Sequence, residues 1–300
     1  MEAIFLRIEK ISLSRGANLT IYQPEAAVGY NLFRRRPGII LAPGGAYLMH
    51  ATREKEGVAL EFIARGYNVF LLEYSIGFSS REAKESGLDQ LDTAHRFPAP
   101  LLEMFETIHY VRQNAKNLNT DSSRLFLLGF SAGGHLCGSA GVFWNREEYI
   151  RELSFVPKGE ELKATGMVLC YPMLNARPKR TLEINAPENL DARLLGEFLY
   201  KTTEPTPEQI QSLDLARQVT ADTVPTFIWH SIDDPVVDAA DSTRFTLAMQ
   251  EAAVNCEYHL FSFGGHGLGL ASKTYARTPE EIRPDLAIWT DLADAWMNRF

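Results

Sequence analysis

Leu125-Phe126-Leu127-Leu128-Gly129-Phe130-Ser131-Ala132-Gly133-Gly134-His135 is the stretch on which the reading of this chain turns. An apolar run of strand type ends at Leu128, and a helix-compatible run through Leu136, Cys137 and Ala140 follows. A serine raised on a tight strand-to-helix turn needs small residues two positions to either side, because a Cβ there would collide with neighbouring backbone. Gly129 and Gly133 supply that spacing, and Gly134 lets the helix pack close. A bare GxSxG also occurs as a simple small-residue turn, so its meaning depends on whether the rest of the chain supplies partners for Ser131.

Working outward, apolar runs of four to seven residues alternate with stretches of helical period, the pattern of a parallel sheet covered by helices on both faces. The runs are Gly38–Ala42, Asn68–Leu72, Arg124–Leu128, Thr165–Cys170, Thr226–His230 and Tyr258–Phe261. Two amphipathic pieces, Ile4–Ile8 and Leu19–Tyr22, read as edge strands added antiparallel. Leu101, Met104, Phe105, Ile108 and Val111 recur at helical spacing, as do Ile282, Leu286, Trp289, Ala293, Trp296 and Phe300. Two segments break the rhythm: Ser75–Pro98 is polar and charged, and Pro172–Pro225 is punctuated by prolines. Excursions of that length inside a compact domain are usually functional. The second reads as a lid-like insertion at about 172–224, and no linker or repeat divides residues 1–300 into further domains.

Serine is a poor nucleophile near neutral pH and needs a base that takes its proton and an acid that holds the base in the right tautomer. His266 is the base candidate: it follows the last apolar run inside Gly264-Gly265-His266-Gly267, where glycines let a loop fold the imidazole over a strand end. His230 ends a strand and reads as structural, bonded to the next loop. His135 reads as a packing or hydrogen-bonding residue of the serine helix, and His50, His95, His109 and His259 as surface or helix-face residues. Asp233-Asp234-Pro235 offers two acids. Asp234 is preferred because the proline ring and burial of Val237 fix its direction, whereas Asp233 is free to cap the turn or face water. A tetrahedral intermediate also needs amide donors aimed at its oxyanion. Leu41-Ala42-Pro43-Gly44-Gly45-Ala46-Tyr47 follows a strand with small residues, so the amides of Gly45 and Ala46 are assigned, together with that of Ala132.

Composition narrows the field. Three hundred residues, 45% hydrophobic and 23% charged, describe an ordinary globular chain. Three cysteines without CxxC spacing indicate neither a disulfide framework nor a zinc ribbon, and a reducing interior fits them. A net charge of -8 argues against a nucleic-acid partner. No apolar stretch approaches the ~20 residues needed to span a bilayer, and the mixed-charge N-terminus lacks a signal-peptide core. A cytoplasmic protein with no membrane partner is expected. No metal-ligand spacing and no phosphate-binding Gly-Lys-Ser/Thr occurs, so no metal or other cofactor is expected.

The order Ser131, Asp234, His266 matches that of the α/β-hydrolases. Pro43–Tyr47, Arg96–Pro100, Gly129–His135, Asp234–Val237 and His266–Leu268, taken together and collinear over nearly the whole chain, resemble the acetyl esterase/lipase group of that superfamily, related to hormone-sensitive lipases and to acetylxylan and feruloyl esterase-like proteins. The usual His-Gly-Gly-Gly pattern has Pro43 at its first position and Ala46 at its fourth, and backbone amides survive both changes. The resemblance implies an eight-stranded, mostly parallel sheet and serine carboxylesterase chemistry on short acyl esters, with acetylated sugars as a substrate class. The partner expected is then a small-molecule ester, and homo-oligomerisation is left open. Tyr47, Trp144 and the Pro172–Pro225 segment are candidates for lining the acyl and alcohol pockets, with ordinary packing as the alternative. Rival readings are a peptidase or amidase using the same machinery, and a non-catalytic hydrolase-like binding module.

Overall fold

A computed structural model of the chain describes residues 6–24, 35–176 and 190–300. Eight strands form one sheet: β1 (Leu6–Ser12), β2 (Asn18–Pro24), β3 (Arg36–Ala42), β4 (Asn68–Glu73), β5 (Thr120–Phe130), β6 (Gly166–Cys170), β7 (Thr226–Ser231) and β8 (Cys256–Phe261). Their spatial order is β1-β2-β4-β3-β5-β6-β7-β8. The six strands from β4 to β8 in that order run parallel, while β1 and β2 join antiparallel at one edge. Each of the six apolar runs singled out in the sequence lies in one of these strands, except that Thr165 precedes β6. Of the first amphipathic piece, Ile4 and Phe5 lie outside the described residues.

The helices are α1 (Glu56–Ala64), α2 (Arg81–Glu85), α3 (Ala99–Gln113), α4 (Ser131–Phe143), α5 (Glu147–Ile150), α6 (Leu190–Tyr200), α7 (Pro207–Ser212), α8 (Ala239–Glu251), α9 (Pro284–Ala287) and α10 (Trp289–Met297). Strand side chains alternate between faces, and the central strands are apolar on both. Ile40, Leu125, Leu127, Leu169 and Ile228 meet α3, α4, α6 and α8 on one face. Ile39, Leu41, Phe126, Leu128, Val168 and Trp229 meet α1, α9 and α10 on the other. The C-terminal stripe is only partly helical: Leu286, Trp289, Ala293 and Trp296 are buried, but Ile282 precedes the helices and Phe300 is 40% exposed.

The described parts of both irregular segments pack on the serine side of the sheet. Within Ser75–Pro98, the amides of Gly77 and Phe78 donate to the carbonyls of Tyr47 and Leu48 at 2.8 and 3.0 Å. Residues 177–189 of the expected lid lie outside the described residues. The remainder carries α6 and α7 and sinks Leu194, Leu195, Phe198 and Leu215 into the core, so this part is built into the fold. Arg96 pairs with Glu197 and Lys84 with Asp191, tying the two segments together.

Glu103 on α3 is fully buried and accepts the amide of Ser75 at 2.7 Å and the Ser75 hydroxyl. Burial pushes its carboxyl from 4.5 up to about 7, against the pull of the Ser75 bonds. A carboxyl raised on folding favours the native state below its unfolded value and loses that contribution as pH rises through the folded one. Thermal stability is therefore expected to decline between pH 4.5 and about 7 on account of this group. Glu103→Gln should flatten that part of a Tm-against-pH series; an unchanged slope would contradict the assignment.

Candidate active site

Because β3, β5, β7 and β8 point the same way, the loops that follow them open on one rim of the sheet. Ser131 stands where β5 meets α4 with φ +51°, a left-handed backbone that costs a side-chain-bearing residue about 1–2 kcal/mol. The turn is possible because helix and strands approach almost to backbone contact. A Cβ on Gly133 would lie 2.2 Å from the Ala42 carbonyl oxygen, and one on Gly129 would lie 2.2 Å from that of Gly133.

His266 Nε2 is 3.0 Å from Ser131 Oγ, and His266 Nδ1 is 2.6 Å from Asp234 Oδ2. With the Nδ1 proton donated to the carboxylate, Nε2 carries the lone pair that faces the serine hydroxyl. The Asp234 side chain is fully buried. Its Oδ1 accepts the amides of Val236 and Val237 at 2.8 and 2.9 Å, and its Oδ2 also receives His230 Nε2 at 3.1 Å. Burial works to raise this carboxyl, but the His230 and His266 bonds outweigh it and hold it well below the usual carboxylate range. It stays ionised at neutral and mildly acid pH, and its contribution to stability is present above its ordinary value and lost progressively as pH falls from there through the depressed one.

Across the serine from His266, the turn after β3 has three successive residues in the left-handed region: Gly45 at +119°, Ala46 at +58° and Tyr47 at +60°. A Cβ on Gly45 would fall 1.7 Å from the Met49 carbonyl oxygen, so the turn admits no side chain there. The carbonyl of Gly45 accepts the amides of Leu48 and Met49, both at 3.0 Å. The amides of Gly45, Ala46 and Ala132 have no hydrogen-bond partner among the described residues.

The two pocket candidates sit elsewhere. Tyr47 is fully buried, its hydroxyl 2.9 Å from His135 Nδ1 and its ring stacked on Phe198 at 5.8 Å, so it anchors the turn from inside. Trp144 caps the far end of α4, about 20 Å along the axis from Ser131 at the usual 1.5 Å rise. There its Nε1 donates to the Asp222 carbonyl at 2.9 Å and Lys163 covers its ring. Neither contributes a surface at the serine. His50 is not a surface residue: its ring meets Tyr74 edge-on at 4.7 Å, and burial pushes it down to about 4.

Several residues of the site escape a sequence reading. His230 does bond the loop that follows it, but its partner is the triad-positioned Asp234 itself. Asp233 accepts the amides of Gly264 and Gly265, both at 2.9 Å, and so pins the loop that carries His266. Glu54, in the 3₁₀ turn Thr52–Glu54, is buried behind Gly44, although it lies between the charged Arg53 and Lys55 in sequence. Among the described residues no cluster of His, Cys, Asp and Glu could hold a metal ion, and no helix is long and apolar enough to cross a membrane.

A parallel sheet flanked by two helical layers, with a serine elbow after β5 and the acid and histidine after β7 and β8, defines an α/β-hydrolase. The BD-FAE family model matches residues 19–249, and the chain belongs to that family of α/β-hydrolase esterases. Endo-1,4-beta-xylanase B of Butyrivibrio fibrisolvens is 30% identical over 85% of the chain. The chain spans only 37% of that protein's length, and less than two thirds of the other curated relatives it matches. The acetyl ester-xyloside bifunctional hydrolase of Caldicellulosiruptor lactoaceticus superposes with a TM-score of 0.69 at 29% identity, covering 95% of this chain and 88% of its own. The carboxylesterase Cest-2923 of Lactobacillus plantarum, 22% identical with a TM-score of 0.76 over 99% of this chain and 98% of its own, shares the fold.

Asp233→Ala would leave the Gly264 and Gly265 amides without an acceptor. Hydrogen exchange at both, followed by NMR, should accelerate by about tenfold or more as the loop opens locally. Unchanged exchange would mean that the loop is held by other contacts.

Proposed function

We propose that this chain is a serine carboxylesterase that removes short acyl groups, acetyl foremost, from carbohydrate alcohols. The observation that carries the reading is the unbroken path from Ser131 Oγ to His266 Nε2 at 3.0 Å and from His266 Nδ1 to Asp234 at 2.6 Å. Ser131 Oγ bonds to the ester carbonyl carbon while its proton passes to His266 Nε2. The carbonyl electron pair moves onto oxygen, where the amides of Gly45, Ala46 and Ala132 receive it. Collapse of that adduct breaks the bond to the alcohol oxygen, which leaves with the proton from His266. Water then attacks the acyl-enzyme by the same route in reverse, releasing the acid.

Asp234, kept anionic by its donors, holds the tautomer and offsets the charge that His266 acquires. Acetyl groups on xylan-type sugars are favoured by the names of two relatives, one a xylanase and one an acetyl ester-xyloside hydrolase. The free thiols Cys137, Cys170 and Cys256 support a reducing, cytoplasmic setting, which fractionation of producing cells tests; recovery outside the cell would contradict it.

Aryl acetate, butyrate and octanoate, acetylated xylo-oligosaccharides and a peptide anilide form the panel that tests the reading. Acetyl esters should be turned over fastest and the anilide least. Ser131→Ala should lower kcat by on the order of 10⁵-fold or more, and Asp234→Asn by about 10⁴-fold through the wrong tautomer. Equal rates for Ser131→Ala and parent would leave a binding module, and an anilide turned over faster than the esters would leave a peptidase.

A further inference from the structure

Glu54 is 2% exposed, and each of its carboxylate oxygens holds a different part of the site. Oε2 accepts the amide of Gly44 at 2.7 Å, in the turn that carries the Gly45 and Ala46 amides. Oε1 accepts the hydroxyl of Tyr171 at 2.8 Å. That hydroxyl in turn accepts the amide of Gly269 at 2.9 Å, three residues beyond His266, and the Tyr171 ring stands edge-on to the imidazole at 4.9 Å. Gly44 is wedged between the acid and the nucleophile: a Cβ there would lie 2.8 Å from both Glu54 Oε2 and Ser131 Cβ. The preceding residue repeats the link, since Arg53 Nη1 donates to the Gly267 carbonyl at 2.9 Å.

A buried carboxyl is costly unless its oxygens are bonded, and both oxygens of Glu54 are spent on holding the site's loops. Burial pushes the Glu54 carboxyl above its ordinary range, and the bonds from Tyr171 and Gly44 offset only part of that rise.

We propose, resting on the esterase reading above, that Glu54 is a positioning residue for that reaction: through Gly44 and Tyr171 it locks the oxyanion amides and the His266 loop into one geometry. Loss of either link lets the two halves of the site drift, and a shift of an ångström or so costs up to about 100-fold in rate.

The experiment compares parent, Glu54→Gln, Tyr171→Phe and the double variant on an aryl acetate. Turnover is expressed per active site counted by the nitrophenol burst of a nitrophenyl phosphonate, so that misfolded protein does not enter kcat. Each single variant should lose about 10- to 100-fold in kcat with KM within about 2-fold. The double variant should match the poorer single one, because both groups act along one chain of bonds. Should Glu54→Gln fail to fold, Tyr171→Phe, which keeps the ring and removes only the oxygen, carries the comparison. Values of kcat within about 2-fold of parent, or losses that multiply in the double variant, would overturn the proposal. An inert parent, or a Ser131→Ala variant as active as parent, would instead remove the esterase reading and this inference with it.

Discussion

The approach of the first turn of α4 to the end of β3 sets the geometry of everything at the rim. Gly133 brings the helix backbone so near Ala42 that no side chain fits between them. That contact does two things at once. It forces the chain at Ser131 into the left-handed region, lifting Oγ clear of the sheet, and it brings the Ala132 amide beside the turn that follows β3. Ser131 and the free amides of the β3 turn follow strands that are neighbours in space but far apart in sequence, and they meet because the backbones touch.

Strained backbone persists only where its surroundings over-determine it. Ser131, Ala46 and Tyr47 all carry positive φ without being glycine, and each is held. The Ser131 carbonyl accepts the Met173 amide at 3.0 Å. The β3 turn is gripped from three sides: the Tyr74 hydroxyl on the Pro43 carbonyl at 2.6 Å, the His135 ring on the Tyr47 hydroxyl, and the Ser75–Pro98 segment on the carbonyls of Tyr47 and Leu48. The polar segment, whose role the sequence leaves open, thus holds this turn in place. On the opposite side, Asp233 and Asp234 divide their labour, one pinning the His266 loop and the other orienting its ring.

Much of this is legible in the sequence because it is local. The six core runs are apolar over consecutive residues, a signature of strands buried on both faces, and GxSxG states its own turn. The preference for Asp234 over Asp233 follows from Pro235 and Val237 alone. What resists reading is whatever depends on long-range packing. Glu54 carries no local mark of burial, and its partners Gly44 and Tyr171 belong to two other loops. Tyr47 adjoins Gly45 and Ala46 and so suggests a pocket, yet the left-handed turn points its ring into the core against His135 and Phe198. Trp144 shares a helix with Ser131, and only the length of that helix separates them.

A crystal structure of the protein inactivated with an alkyl fluorophosphonate would test the central claim most directly. The account predicts a single phosphorus–oxygen bond to Ser131 Oγ, with the phosphoryl oxygen within hydrogen-bonding distance of the Ala132 amide and at least one of the Gly45 and Ala46 amides, and His266 Nε2 facing the leaving-group side. Phosphorus bonded elsewhere, or a phosphoryl oxygen turned away from those amides, would contradict it.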